Sequence, residues 1–188
     1  MLLRRKPPPV LEIVPAGEVD GGLLHTLGAD LEALGMQWRP GEPLPLHGAW
    51  MDPETGLYRS VFLMHALIAR RDGARTREDA RWTLAIADAG LCAAEVGPVF
   101  GEAEMDGCCC VLGLAPLRRG SGADADVLRA RLLTEALHEL GHLAGAEHCR
   151  RASCVMFPSL RIADTDLKGA TFCASCAPAL KRLGIRKP

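Results

Sequence analysis

Between His138 and Cys176 the chain interleaves three histidines and four cysteines at spacings that demand a helix, a sharp turn and a loop folded back on both. His138-Glu139-Leu140-Gly141-His142 places histidine at i and i+4, positions that share a helix face with Cβ atoms about 5–6 Å apart. Two imidazoles so placed converge on one ion, with Zn–N distances of about 2.0–2.1 Å. Glu139, beside the first histidine, addresses a water on the metal rather than the metal itself. Three residues beyond His142, Gly145 tolerates the positive φ that ends a helix and turns the chain. Three further on, His148 can swing back as a third ligand. A lone histidine is more often structural, but three around a glycine at this spacing read as a catalytic zinc site. Three neutral histidines leave a fourth position open, where a water has its pKa lowered towards ~7. Glu139 would take its proton during attack on a scissile carbonyl and deliver it to the leaving amine.

The cysteines make a second constellation. Cys149 follows His148 directly, Cys154 comes five residues later, and Cys173 and Cys176 form a C-x-x-C pair. Two thiolate pairs across a loop make a tetrahedral zinc site with Zn–S of about 2.3 Å. The alternatives are two disulfides or a redox-active pair at Cys173 and Cys176. A reducing compartment argues against the first, and the lack of a thioredoxin-like setting argues against the second. Cys92 and Cys108 to Cys110 stand outside the pattern. Three adjacent thiols alternate sides of a strand and cannot all face one metal, so these four read as small core hydrophobes.

The remaining composition bounds the setting. A chain of 188 residues, 48% apolar and 24% charged, suits one globular domain. A net charge of −1 offers no field for nucleic acid or an anionic membrane. Basic clusters at Arg4 to Lys6 and at Lys181, Arg182, Arg186 and Lys187 read as solvated ends. The uncharged stretches fall short of the roughly 20 residues of a membrane helix. Met1-Leu-Leu-Arg-Arg-Lys lacks the apolar core of a secretory signal, so a cytoplasmic protein with reduced thiols is expected. Nothing in the sequence speaks to oligomeric state.

Strand-like and helix-like segments alternate upstream. Val10 to Val14, Trp82 to Ile86 and Cys108 to Leu114 read as strands, and Met36 to Leu46, with three prolines, as at most a short or edge strand. Asp20 to Leu34 has leucines at helical spacing before Gly35, Asp52-Pro-Glu-Thr opens a helix to about Arg71, and Asp124 or Asp126 caps a long helix to Ala144. A loop from Arg119 to Ala125 precedes that helix. After Gly145 little periodicity returns until a short helix near Pro178 to Leu183. Such alternation predicts an α/β fold with a mostly parallel sheet.

His138-Glu139-x-x-His142-x-x-Gly145-x-x-His148 followed by Met156 resembles the metzincin clan of metallopeptidases. With Cys149, Cys154, Met156 and the Cys173/Cys176 pair interleaved, the pattern resembles the archaemetzincin family, with a spacer after Met156 one residue shorter than the family's usual one. Weaker likeness covers Asp52 to Ser60, Pro98 to Ala103 and the strand from Cys108 to Leu114 leading into Arg118. The resemblance implies a metzincin-like three-layer fold with a twisted, mostly parallel sheet, a backing helix, a long active-site helix and a small zinc-stapled C-terminal subdomain. It implies a single catalytic domain over 8–188, with an upper subdomain to about 145 and a lower one from about 146. It also implies two zinc ions, one catalytic and one structural, with Met156 in a tight turn beneath the first. The substrate would be a peptide lying along an edge supplied by the strand from Cys108 to Leu114. With few residues before the first strand no pro-segment is expected, which favours narrow specificity or short peptides, and the resemblance leans towards aminopeptidase action. The competing reading is a zinc-stabilised binding module with little or no hydrolysis.

Overall fold

Leu11 and Ile13 pack to one side of the first strand and Val14 and Ala16 to the other, and all four are buried, the mark of a strand covered on both faces. In the computed structural model of the protein, which describes residues 9–73, 81–120 and 124–185, this segment is β1 (Val10–Ala16). The same two-sided burial marks β4 (Arg81–Ala87), with Leu84 and Ile86 against Ala85 and Ala87. It recurs in β8 (Cys109–Gly113), with Cys110 and Leu112 against Cys109 and Val111. With β2 (Trp38–Pro40) and β7 (Gly101–Ala103) these strands form a five-stranded sheet of order β2-β1-β4-β8-β7. All pairings are parallel except β7 with β8.

One face is covered by α1 (Gly21–Ala33) and α4 (Ala125–Leu143), the other by α2 (Ser60–Gly73) through Leu63, Met64 and Leu67. Asp20 caps α1 by accepting the Leu23 N–H and Asp124 caps α4 by accepting those of Asp126 and Val127, each contributing about 1 kcal/mol. The three layers are those of a metzincin-like α/β fold. A small second sheet joins β3 (Tyr58–Arg59), β5 (Leu91–Ala93) and β6 (Gly97–Val99), and α3 (Leu114–Leu117) follows β8. Beyond α4 the chain runs through α5 (Ile162–Lys168) and α6 (Pro178–Leu183), and Val155, Met156, Leu183 and Ile185 join the core on the α4 side.

Three expectations change. The helix opening at Asp52 begins only at Ser60, because Asp52 Oδ1 accepts the N–H groups of Glu54 and Thr55 in a turn that leads into β3. A helix, α5, stands in the stretch that lacks periodicity; it is too short for a repeat to register. Most consequential for the cleft, the strand predicted over Cys108 to Leu114 is not an edge: β8 lies between β4 and β7, and β7 holds the border. A three-residue strand centred on a charged residue leaves almost no pattern to read. The clusters at Arg4 to Lys6 and at Arg186 and Lys187, and the centre of the 119–125 loop, lie outside the described residues. Among the described residues no helix is long and apolar enough to cross a membrane.

Candidate active site

The last turns of α4 are buried throughout, and they carry His138, Glu139 and His142 into the interior at 5%, 4% and 8% exposure. The Nε2 atoms of His138 and His142 are 3.2 Å apart. Two nitrogens on one tetrahedral ion lie about 3.3 Å apart at Zn–N distances of about 2.0–2.1 Å. The far nitrogens are committed elsewhere: His138 Nδ1 lies 2.7 Å from the Val155 carbonyl oxygen and His142 Nδ1 2.8 Å from that of Ala146. A carbonyl only accepts, so each Nδ1 carries the proton and each Nε2 presents a lone pair towards the shared space. Gly145, at φ +80°, turns the chain out of α4, and its N–H bonds back to the His142 carbonyl at 2.9 Å. His148 follows, its ring centroid 5.3 Å from that of His138 and 4.9 Å from that of His142. One ligand atom from each of the three lies within 4.8 Å of the others, a donor set that fits a zinc ion.

Behind His138 sits a buried ion pair that nothing in the sequence pattern announces. Lys168 Nζ, fully buried, donates to Glu135 Oε2 at 3.1 Å and to the Phe157 carbonyl at 3.1 Å, and lies 3.2 Å from His138 Nδ1. Glu135 Oε1 accepts from Ser159 Oγ at 2.8 Å and from Thr165 Oγ1 at 2.6 Å. One network thus joins α4, the Val155–Phe157 segment and α5. Burial, then the Lys168 ammonium, pulls the His138 pKa down to about 2, which keeps the imidazole neutral as a ligand must be. Burial and then Glu135 push the Glu139 carboxyl well up, with Lys168 opposing and Glu102 adding to the rise.

Two close approaches shape the space around Glu139. A Cβ at Gly141 would lie 2.3 Å from Met156 Sδ, so Met156, fully buried, packs on the α4 backbone between the two histidines. Met156 sits in a tight turn in which Phe157 N–H bonds the Cys154 carbonyl at 2.8 Å. On the other side, a Cβ at Gly101 would lie 2.6 Å from Glu139 Oε1 and 2.6 Å from the Val111 carbonyl, so β7 crosses directly over that carboxyl. Phe100 and Glu104 bond inward to Gly113 and Cys109, so by antiparallel alternation the main-chain groups of Gly101 and Ala103 point out from the sheet edge.

The sulfurs of Cys149, Cys154, Cys173 and Cys176 also gather within 4.8 Å, with Cys149 and Cys173 3.8 Å apart, and no disulfide links them. Arg151 N–H points at Cys149 Sγ and Cys173 N–H at Cys154 Sγ, both at 3.4 Å. The backbone N–H of Cys176, ahead of smaller influences, lowers the Cys173 pKa to about 6.

The sequence pattern singled out these histidines, cysteines, Glu139, Gly145 and Met156, and the fold brings each ligand group together. It did not single out Glu135, Lys168 or Gly101. A signal existed for Glu135 alone, a carboxylate one helical turn before His138 on the buried face.

A parallel-sheet fold with this helix, its histidines and a methionine packed beneath them defines a metal-dependent hydrolase of the metzincin type. The family model of Peptidase family M54 matches residues 71–182. The archaemetzincin of Methanocaldococcus jannaschii is 33% identical over 178 residues, 92% of this chain and 93% of that protein. The chain belongs to the archaemetzincins, peptidase family M54, and is a zinc metallopeptidase. Among solved structures, the archaemetzincin of Archaeoglobus fulgidus, complexed with malonate, superposes with a TM-score of 0.76 at 26% identity, covering 90% of this chain and 99% of that one. The archaemetzincin of Methanopyrus kandleri, at 22% identity, shares the fold with a TM-score of 0.79 over 97% of this chain and 98% of its own.

Proposed function

We propose that this peptidase cleaves short peptides at a zinc held by His138, His142 and His148, with Glu139 as general base and a second, structural zinc on Cys149, Cys154, Cys173 and Cys176. The observation that carries the reading is the pair of imidazoles whose Nδ1 protons are tied to backbone carbonyls while their Nε2 atoms meet 3.2 Å apart. When bound there, zinc would polarise the scissile carbonyl and activate the attacking water. Glu139 accepts the proton released on attack and returns it to the leaving amine. A carboxyl this buried shuttles protons without competition from bulk water.

The substrate lies along β7 rather than β8. The outward N–H and C=O groups of Gly101 and Ala103 pair with an extended peptide and hold its scissile bond over the histidines. Met156 supports the floor of the site, and Gly145 sets the turn that returns His148. Residues from about 146 form a lower subdomain that the four-cysteine zinc staples to α4 within one catalytic domain. Aminopeptidase-type action accords with the family resemblance and with short substrates. The protein belongs in the cytoplasm, where eight unbonded cysteines persist.

The test is a peptide library with free and blocked amino termini, offered to the zinc-loaded protein and to His142→Ala. Cleavage confined to free-amine peptides and lost with one zinc in His142→Ala is expected. Cleavage by His142→Ala at the wild-type rate would overturn the site assignment, and cleavage indifferent to the blocked terminus would overturn the aminopeptidase reading.

A further inference from the structure

A third cluster of ligand atoms lies away from both metal centres, in the turn from β7 to β8. Glu104 follows β7 directly, and its side chain folds back over the start of β8, where Oε2 accepts the N–H groups of Cys108 at 3.2 Å and Cys109 at 3.1 Å. Gly107 allows that fold: a Cβ there would lie 2.3 Å from Glu104 Cβ and 2.9 Å from Oε2. Cys108 precedes the strand and escapes its alternation, so its sulfur lies beside that of Cys109, 3.9 Å away, and 3.5 Å from Glu104 Oε2. Cys110 faces the α4 side instead, among the other core cluster.

These are the separations of ligands already arranged for a metal. Two thiolates at about 2.3 Å from a tetrahedral ion lie about 3.8 Å apart, and a thiolate and a carboxylate oxygen about 3.6 Å apart. Cys149 and Cys173 in the four-cysteine cluster stand at the same spacing, 3.8 Å. All three ligand atoms of the turn lie within 4.8 Å of one another. The charge also balances. Two thiolates and a carboxylate around a divalent ion leave one negative charge, and the Arg71 guanidinium on α2 already donates to Cys108 Sγ. Two sulfurs and one oxygen select a borderline-soft ion such as zinc over magnesium or calcium.

We propose that Glu104, Cys108 and Cys109 form a third metal site that takes zinc, with Arg71 as the outer partner of the Cys108 thiolate and one position left for water. Binding releases the two thiol protons to solvent and ties the residue after β7 to the first residues of β8. The hairpin whose edge crosses Glu139 is thereby fixed by a metal outside the cleft. This assignment stands on its own ligands and is independent of the catalytic reading.

The experiment is equilibrium dialysis of the full chain against buffers of graded free zinc, with metal and protein measured together. Wild type should bind one zinc more per chain than Cys108→Ser/Cys109→Ser, while both keep the zinc lost in Cys173→Ser. Glu104→Gln, which keeps both thiols, should need on the order of 10-fold more free zinc to fill the extra site. A cadmium titration should show a thiolate charge-transfer band component that the double variant lacks. If the double variant does not fold, Cys108→Ala, at a half-buried position, takes its place. Equal zinc content in wild type and the folded variant at every free-zinc level overturns the proposal.

Discussion

Replacing Lys168 with methionine removes the only formal positive charge on the described groups that touch Glu135, while leaving a chain of similar length in its place. Both partners are sealed from solvent, at 0% and 2% side-chain exposure. Ser159 and Thr165 still donate to Glu135, but the carboxylate loses its counter-ion in a site that water cannot reach. Breaking such a pair from one side costs about 3–5 kcal/mol. In a protein of this size that lowers Tm by roughly 6–20 °C. Lys168→Met/Glu135→Leu removes both charges, and Thr165 Oγ1 keeps Ser159 Oγ as a partner at 3.2 Å, so the double variant should recover at least half of the loss. Urea unfolding of the zinc-loaded proteins, with zinc content checked before and after, measures both values. A single variant that loses less than about 1 kcal/mol, or a double variant that loses the sum of the two singles, would refute the claim that this pair is a mutually dependent buried unit.

Gly101→Ala places a methyl 2.6 Å from Glu139 Oε1 and from the Val111 carbonyl, so the carboxyl or β7 must shift by several tenths of an ångström; kcat/KM should fall on the order of 10- to 100-fold with zinc content unchanged, read by peptide hydrolysis. Cys176→Ser should release the proposed structural zinc and lower Tm, as expected if that metal supplies folding energy to the segment beyond Gly145; metal analysis with thermal unfolding checks this. The Arg131 guanidinium grips Asp166 at 2.6 and 2.8 Å and holds its carboxyl below the usual range. A lowered folded-state pKa gives stability that is present above about pH 4, the unfolded value, and lost as pH falls from there through the folded-state pKa. The stability gap between wild type and Asp166→Asn should therefore narrow in urea titrations run below pH 4.

The parts of this molecule that follow short-range rules are open to reading from the chain. Histidines at i and i+4 must share a helix face, and two cysteine pairs around a turn have few other uses in a reduced protein. Strands buried on both sides announce β1, β4 and β8 by their apolar runs. What escaped depends on long-range pairing. The identity of the edge strand turns on whether three residues, Gly101–Ala103, add to β8, and no local pattern encodes that. Lys168 reads as an ordinary basic residue ending a short helix until the fold sets it against Glu135, 33 residues earlier. The pairing of Cys108 with Cys109 contradicts the alternation rule only because Cys108 precedes the strand proper.

In the proposed mechanism Glu139 works as the base at a zinc held by three histidines. The direct measurement is the turnover of a short peptide by zinc-loaded wild type and Glu139→Gln, with zinc per chain determined on the same samples. The amide keeps the carboxylate's shape in the space beneath Gly101 and all three histidines are left in place, so zinc content should match wild type while kcat drops by about 10²–10⁴-fold. Equal turnover at equal zinc content would contradict it.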